Sequence, residues 1–370
     1  MLETLDDVPL FRAEDLSYED FCVFMTENRP CRISGITEQW RATKEWVLNA
    51  QVNTRRLREL FGDSVAPIAD CQRSEYGSQP KTEMTINNYL DYWEEHRRPA
   101  VDEHRWANTA QEKCLYLKDW HMQRNFPEFA AYSVPRYFSS DWLNEFWLAS
   151  DGQDDYRFVY IGPKGSWTPL HCDVFGSFSW SANICGEKLW IFLPPGEEVY
   201  FKDINGKLAP DITHITDRDR YPKLHEQKPV LRVLQRAGET IFVPSGWHHQ
   251  VVNTEDTISI NHNWFNGYNL FHVAEHLQNA ENEVKKELSF MESDEAFGSQ
   301  VEIVLRAHHG MNRHDFREIL DFIARRRLEC PEDQNARFDL LKCCEFLEDS
   351  VLKDEIKVLL SDSMPNGVHR

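Results

Sequence analysis

The chain has 370 residues, 41% of them apolar and 12% aromatic, enough to build a substantial core. Its 41 basic residues stand against 61 acidic ones, a formal charge of −20. That sign is wrong for a nucleic-acid surface, which must neutralise phosphates, and for docking on anionic lipid; it weakly favours a basic protein partner.

Seven acids and no apolar run occupy the first twenty residues, so no signal peptide is expected. No stretch approaches the ~20 apolar residues of a membrane span. Nine cysteines, with no C-x-x-C pair and no N-x-S/T acceptor in the chain, argue against zinc fingers and thioredoxin-like motifs. They predict a reducing compartment, cytosol or nucleus.

Pattern divides the chain into three zones. Residues 1–150 form an N-terminal α/β region. Ser17 to Glu27 sets Phe21, Cys22, Phe24 and Met25 on one stripe behind a capping Ser. Asn53–Phe61 and Thr85–His96 are further helices, Leu115–Trp120 is a strand, and Ser139–Leu148 is a short closing helix. Residues 151–265 are β-rich. Strands are predicted at Tyr156–Ile161, Phe178–Ile184, Leu189–Leu193, Val230–Leu234, Thr240–Val243, His248–Asn253 and Thr257–Trp264. Their spacing suggests an antiparallel sandwich or barrel. The polar segment Lys202–Lys228, with two prolines, reads as a long surface insertion. Residues 266–370 return to helical periodicity, with Leu270, Val273, Ala274 and Leu277 on one stripe and Phe316, Ile319, Leu320 and Ile323 on another. This zone carries no recognisable chemistry and reads as a packing or dimerisation element.

The β zone holds the chemistry. His171-Cys172-Asp173 is a His-x-Asp, and residues i and i+2 of a strand share a face. Downstream, Pro244-Ser245-Gly246-Trp247-His248-His249 supplies a second imidazole. Adjacent strand residues face opposite ways, so only one of His248 and His249 can join the first pair. Two His and one carboxylate, with other positions open, suit a non-haem Fe(II) oxygenase. A lone His-x-Asp is weak; followed by Gly238, Pro244, Gly246, Trp247 and His249 it is strong. Lys188 enters a barrel strand, where a buried cation needs an anion such as an organic acid. Other histidines read as structural: His262 as a polar strand residue, His272 and His276 as a solvated helix face.

Three runs carry a resemblance. They are Tyr160-Ile161-Gly162-Pro163-Lys164-Gly165-Ser166-Trp167-Thr168-Pro169-Leu170-His171-Cys172-Asp173, then Asn183 to Pro195 around Lys188, then Ala237 to Asn253 around His249. Together they resemble the JmjC (Jumonji-C) family of Fe(II)- and 2-oxoglutarate-dependent oxygenases over roughly residues 30–265. Phe178-Ser179-Trp180-Ser181 and Thr257-Ile258-Ser259-Ile260-Asn261-His262-Asn263-Trp264 are similar to its JmjC-domain-containing protein 4 group, cytoplasmic lysyl hydroxylases of the eukaryotic translation termination (release) factor.

The resemblance implies an α+β fold: a double-stranded β-helix (jelly-roll, cupin-like) barrel with N-terminal mixed and C-terminal helical additions. It implies Fe(II) held by His171, Asp173 and His249, with 2-oxoglutarate and O₂ as co-substrates. Lys188 and Thr168 match the residues that grip the far carboxylate of 2-oxoglutarate. Asn261 and Ser181 fall on pocket-lining strands, although related hydroxylases often have Asn where Ser181 stands. Tyr160 is assigned as a further carboxylate contact. The polar insertion and the N-terminal zone become candidate substrate surfaces. Two other readings stand beside this one: a lysyl or arginyl demethylase, and a non-catalytic cupin-like metal module. The complete set of four pocket residues speaks against the last.

Overall fold

The computed structural model describes residues 8–75, 78–97, 113–150, 155–331 and 335–362. In chain order the elements begin β1 (Leu10–Arg12), α1 (Tyr18–Thr26), β2 (Cys31–Ser34), α2 (Arg41–Trp46), β3 (Val47–Leu48), β4 (Gln51–Val52), α3 (Thr54–Phe61), β5 (Val65–Asp70), β6 (Lys81–Thr85), α4 (Ile86–Arg97), β7 (Leu115–Trp120) and α5 (Met122–Asn125). They continue α6 (Trp142–Ala149), β8 (Arg157–Gly162), β9 (Trp167–His171), β10 (Phe178–Cys185), β11 (Lys188–Leu193), β12 (Leu231–Gln235), β13 (Glu239–Val243), β14 (His248–Asn253) and β15 (Thr257–Trp264). Five helices follow: α7 (Leu270–Glu287), α8 (Phe297–His309), α9 (Arg313–Glu329), α10 (Ala336–Phe346) and α11 (Val351–Asp362). Contacts group these into two units: Met1–Arg136 with Tyr156–Asp173 and Ser179–His262, and Tyr137–Asp155 with Val174–Phe178 and Asn263–Arg370.

The fold is a double-stranded β-helix with helical additions. One sheet runs β1-β2-β13-β10-β15-β8-β7-β5-β6 and the other β12-β11-β14-β9. The predicted strands all form, each within about a residue of its expected ends. Strands β1 to β6 and β9 were not separately predicted. Pro67 and Pro169 interrupt two of them, and Lys81-Thr82-Glu83-Met84-Thr85 is polar because it is an edge. Two of the predicted helices start at side-chain caps: Ser17 Oγ accepts from the Asp20 amide at 3.0 Å and Asn53 Oδ1 from that of Arg56 at 3.1 Å.

Strand alternation sorts the side chains of the first unit. On β11, Lys188, Trp190 and Phe192 face the partners Gln235, Val233 and Leu231 on β12 and Asn253, Val251 and His249 on β14. Trp190, Phe192, Val233 and Val251 meet Ile241, Val243 and Trp247 in one buried cluster. The outward side of the large sheet is aromatic. Trp180 and Phe242 are register partners, and the N-terminal zone covers them: the Phe21 and Phe242 ring centroids are 5.2 Å apart, and Trp40 and Tyr132 lie 6.3 and 6.2 Å from Trp180. Each such side chain contributes about 1.5–3 kcal/mol by leaving water.

The segment 202–228 corrects the sequence expectation of a simple surface insertion. Phe201, Ala209, Tyr221 and Val230 pack on Leu170, Ile191 and Leu193, covering the outer face of the small sheet. Two hydrogen bonds pin it there, from the Leu170 amide to Pro210 O and from Gln250 Nε2 to Asp211 Oδ1, both 2.8 Å. Its few apolar residues are too dispersed to show a period.

The second unit is helical. Arg327 bridges both Glu145 oxygens, at 2.8 and 2.9 Å, and Asp339 at 2.7 Å; the Trp142 indole also donates to Asp339. This ties α6 to α9 and α10. Among the described residues, no helix is long and apolar enough to cross a membrane.

The turn before β11 constrains the fold tightly. Gly186 has φ +73°, and a Cβ there would lie 2.0 Å from the backbone oxygen of Asp256. Gly186→Ala is expected to destabilise by more than ~2 kcal/mol, seen as a lower midpoint in urea unfolding at unchanged slope.

Candidate active site

Strand β9 ends at His171, and Asp173 lies in the loop beyond it. The strand periodicity that seemed to put both on one face therefore does not act here. The loop brings the carboxylate round, and Ser179 Oγ on β10 holds its Oδ2 at 2.7 Å. His171 and His249 are register partners on β9 and β14. One ligand atom from each of His171, Asp173 and His249 lies within 4.8 Å of the others, and among the described residues this is the one such group of three.

The donor set fits a divalent metal. The Nδ1 of His171 is 2.8 Å from Pro169 O and that of His249 is 3.1 Å from Trp247 O. A carbonyl only accepts, so both Nδ1 atoms carry the proton and both Nε2 lone pairs are free. Burial pushes both imidazoles down, His171 to about 4 with help from its neighbour His249, so both are neutral near pH 7. The His249 ring is braced by Trp190 and Phe192, at 5.4 and 5.9 Å between centroids. His248 is paired with Leu193 on the opposite face and lies 3.9 Å from Glu198. His272 and His276 sit on α7 outside the group.

Thr168 reaches the same face as His171 although the two are three positions apart. The β9–β14 register shifts between His249 and Val251, so that Thr168 opposes Val251 while His171 opposes His249. This is a bulge, with Pro169 and Leu170 together facing Gln250. Lys188 is 2% exposed, and its Nζ donates to Ser259 Oγ at 2.7 Å. Asn261 Nδ2 donates to the same hydroxyl at 3.2 Å. Ser181 is buried on β10, and its hydroxyl has no hydrogen-bond partner among the described residues. Tyr160 faces Ser259 across the β8–β15 ladder and donates its proton to Asp119 Oδ1 at 2.5 Å.

Sequence reasoning missed Ser259, Ser179, Tyr116, Lys118 and Asp119. Ser259 was legible, being two residues from Asn261 on one strand. Tyr116, Lys118 and Asp119 had no signal beyond a predicted strand. Tyr116 is buried against Asn253, with its ring 6.0 Å from that of Tyr160. Burial pushes Lys188 down to about 7, and the positive charge of Lys118 adds to the effect. A groove of about 620 Å³ lined by residues including Arg58, Asp63 and Asn125 contains none of these side chains.

Residues 158–264 match the family model described as "JmjC domain, hydroxylase". The chain is 43% identical over 327 residues to the zebrafish (Danio rerio) "2-oxoglutarate and iron-dependent oxygenase JMJD4", covering 86% of this chain and 76% of that protein. It is 44% identical over 318 residues to the human protein of the same name, covering 84% and 74%. The chain belongs to the JmjC family of 2-oxoglutarate- and iron-dependent oxygenases. An Arabidopsis thaliana relative named "Arginine-specific demethylase JMJ20" is 38% identical over 334 residues, covering 85% and 70%. Iron and 2-oxoglutarate are thus the cofactor and co-substrate of this JmjC oxygenase, and the group of His171, Asp173 and His249 accords with the iron.

Two outcomes follow from this geometry. Asp173→Ala is expected to lose stoichiometric Fe(II) or Mn(II) binding in equilibrium dialysis, and His248→Ala to keep it. The second concerns Lys188. Its folded pKa near 7 lies below the ordinary lysine value of 10.5, so the unfolded chain binds more protons between those pH values. Stability of the ligand-free protein then rises with pH across that window, and the penalty is complete below pH 7. Lys188→Met should raise the melting temperature of the ligand-free protein at pH 7 while abolishing the stabilisation given by 2-oxoglutarate.

Proposed function

We propose that the chain is a cytoplasmic protein hydroxylase that places a hydroxyl on a side-chain carbon of a lysine in the translation termination factor. The observation that carries this reading is the convergence of two neutral imidazoles and a carboxylate beside a buried, under-satisfied lysine. Its similarity to the JMJD4 oxygenases over most of its length supports the choice of group. An acid excess of 61 to 41 suits a basic substrate segment. In this reading residues 151–265 form the catalytic core, 1–150 pack on it and help hold substrate, and 266–370 form a helical addition.

Iron, 2-oxoglutarate and O₂ supply the oxidising chemistry, decarboxylation to succinate and CO₂ coupled to C–H hydroxylation. The chain's own residues do the rest. His171, Asp173 and His249 would hold the iron. Lys188 and Thr168 hold the far carboxylate, with Asn261 keeping the Ser259 hydroxyl in place. Ser181 offers a free hydroxyl to the same space, and Tyr160 orients Asp119. Trp190 and Phe192 keep water from the rear of His249.

The name of the Arabidopsis relative favours a second reading, N-methyl-arginine demethylation. Both reactions begin with C–H hydroxylation, so product mass separates them. The holoenzyme with recombinant termination factor, 2-oxoglutarate and O₂ is expected to add one oxygen to one lysine, read by peptide mass spectrometry. Loss of a methyl group from a methylated arginine peptide, with no oxygen gained on the factor, would replace hydroxylation by demethylation. Asp173→Ala is expected to abolish either product.

A further inference from the structure

A second buried ammonium lies in this pocket without a role in the mechanism above. Lys118 is 7% exposed. Its one hydrogen bond among the described residues is to Gln79 Oε1 at a long 3.5 Å, and its Nζ lies 5.6 Å from the centroid of the Tyr116 ring. The adjacent carboxylate Asp119 favours its charge through space but does not contact it: Asp119 is in ion contact with Lys81 and accepts the Tyr160 proton. Among the described residues, Lys118 makes no ion pair.

A bulge puts it there. On the β7–β8 ladder Leu117 opposes Ile161 and Trp120 opposes Val159, so Lys118 and Asp119 together face Tyr160. Asp119 takes the left-handed conformation, φ +55°, that this requires. Tyr160 in turn faces Ser259, the partner of Lys188. Both lysines thus line one side of the barrel interior.

Burying an ammonium with one weak hydrogen-bond partner is costly, and an anion that contacts it directly offsets that cost. The two ammonium groups present six N–H donors, against two protein acceptors, Ser259 Oγ and Gln79 Oε1. A dicarboxylate has the matching two charges. By register Lys118 faces Tyr160, which stands opposite Ser259, the partner of Lys188, so with Lys188 at the far carboxylate the other carboxylate is left for Lys118.

We propose that Lys118 is a second co-substrate-binding residue, pairing with the carboxylate next to the keto group of 2-oxoglutarate while Lys188 takes the far carboxylate. This rests on the reading of His171, Asp173 and His249 as the metal site and of Lys188 as a co-substrate contact.

The test is binding, not turnover. The full chain is loaded anaerobically with Mn(II), and affinity is measured by calorimetry for 2-oxoglutarate and for 2-oxobutyrate, which keeps the 2-oxo acid and lacks the far carboxylate. Lys118→Met is expected to weaken both ligands by a similar factor, ~10-fold or more. Lys188→Met is expected to weaken 2-oxoglutarate and leave 2-oxobutyrate unchanged. Lys118→Gln is measured beside Lys118→Met, with Mn(II) binding and melting temperature as controls on folding. Unchanged affinities in both folded Lys118 variants overturn the proposal. Loss of 2-oxoglutarate alone, with 2-oxobutyrate untouched, overturns the assignment of Lys118 to the keto-acid end. Failure of the wild-type protein to bind 2-oxoglutarate with Mn(II) bound overturns the underlying site reading, and the proposal with it.

Discussion

An ammonium sealed from water must either lose its proton or acquire an anion, and this barrel is organised around that constraint. Lys188 is buried on β11, and its one hydrogen-bond partner among the described residues is the hydroxyl of Ser259 on the facing sheet. Around it the interior is polar: Ser181, Asn183, Asn253 and Thr257 all have buried atoms without a hydrogen-bond partner among the described residues. A wall of this kind contributes little cohesion by itself. It is tolerable because the free energy of a bound acid is returned to the fold when the site fills.

Cohesion therefore comes from elsewhere. Trp190, Phe192, Ile241 and Val243 seal one side of the interior. The outward face of the large sheet is covered by aromatic residues from the N-terminal zone, among them Phe21, Trp40, Phe61 and Tyr132. The outer face of the small sheet is covered by the segment 202–228. A barrel that keeps its interior open to a polar ligand needs apolar partners outside, which explains the weight of aromatic residues before residue 140.

Two bulges tune the polar wall. One, on β9, lets Thr168 and His171 share a face that strict alternation would deny them. The other, on β7, turns Lys118 and Asp119 toward Tyr160 and strains Asp119 into a positive φ. Each inserts one residue against its neighbour, bends the strand locally and delivers an extra polar side chain to the interior. Strain beside the chemistry is held in place by the pairing on either side.

The sequence by itself determined the β core, the helical tail and the three residues that the fold gathers as a candidate metal site. Alternation, glycine and proline punctuation and the spacing of His171, Asp173, Lys188 and His249 are local properties, readable one strand at a time. The choice of His249 over His248 followed from motif spacing, and the fold places His249 with the group and His248 on the opposite face. What lay beyond reach was whatever depends on register between strands distant in the chain. Ser259 lies under Lys188 because β15 and β11 meet across the barrel. Asp173 joins the histidines through a loop and the Ser179 hydroxyl, not through strand periodicity. Lys118 and Asp119 face inward because β7 bulges against β8. Only the tertiary structure decided these, since a single-residue shift in pairing reverses which face a side chain occupies and nothing in the strand's own pattern records it.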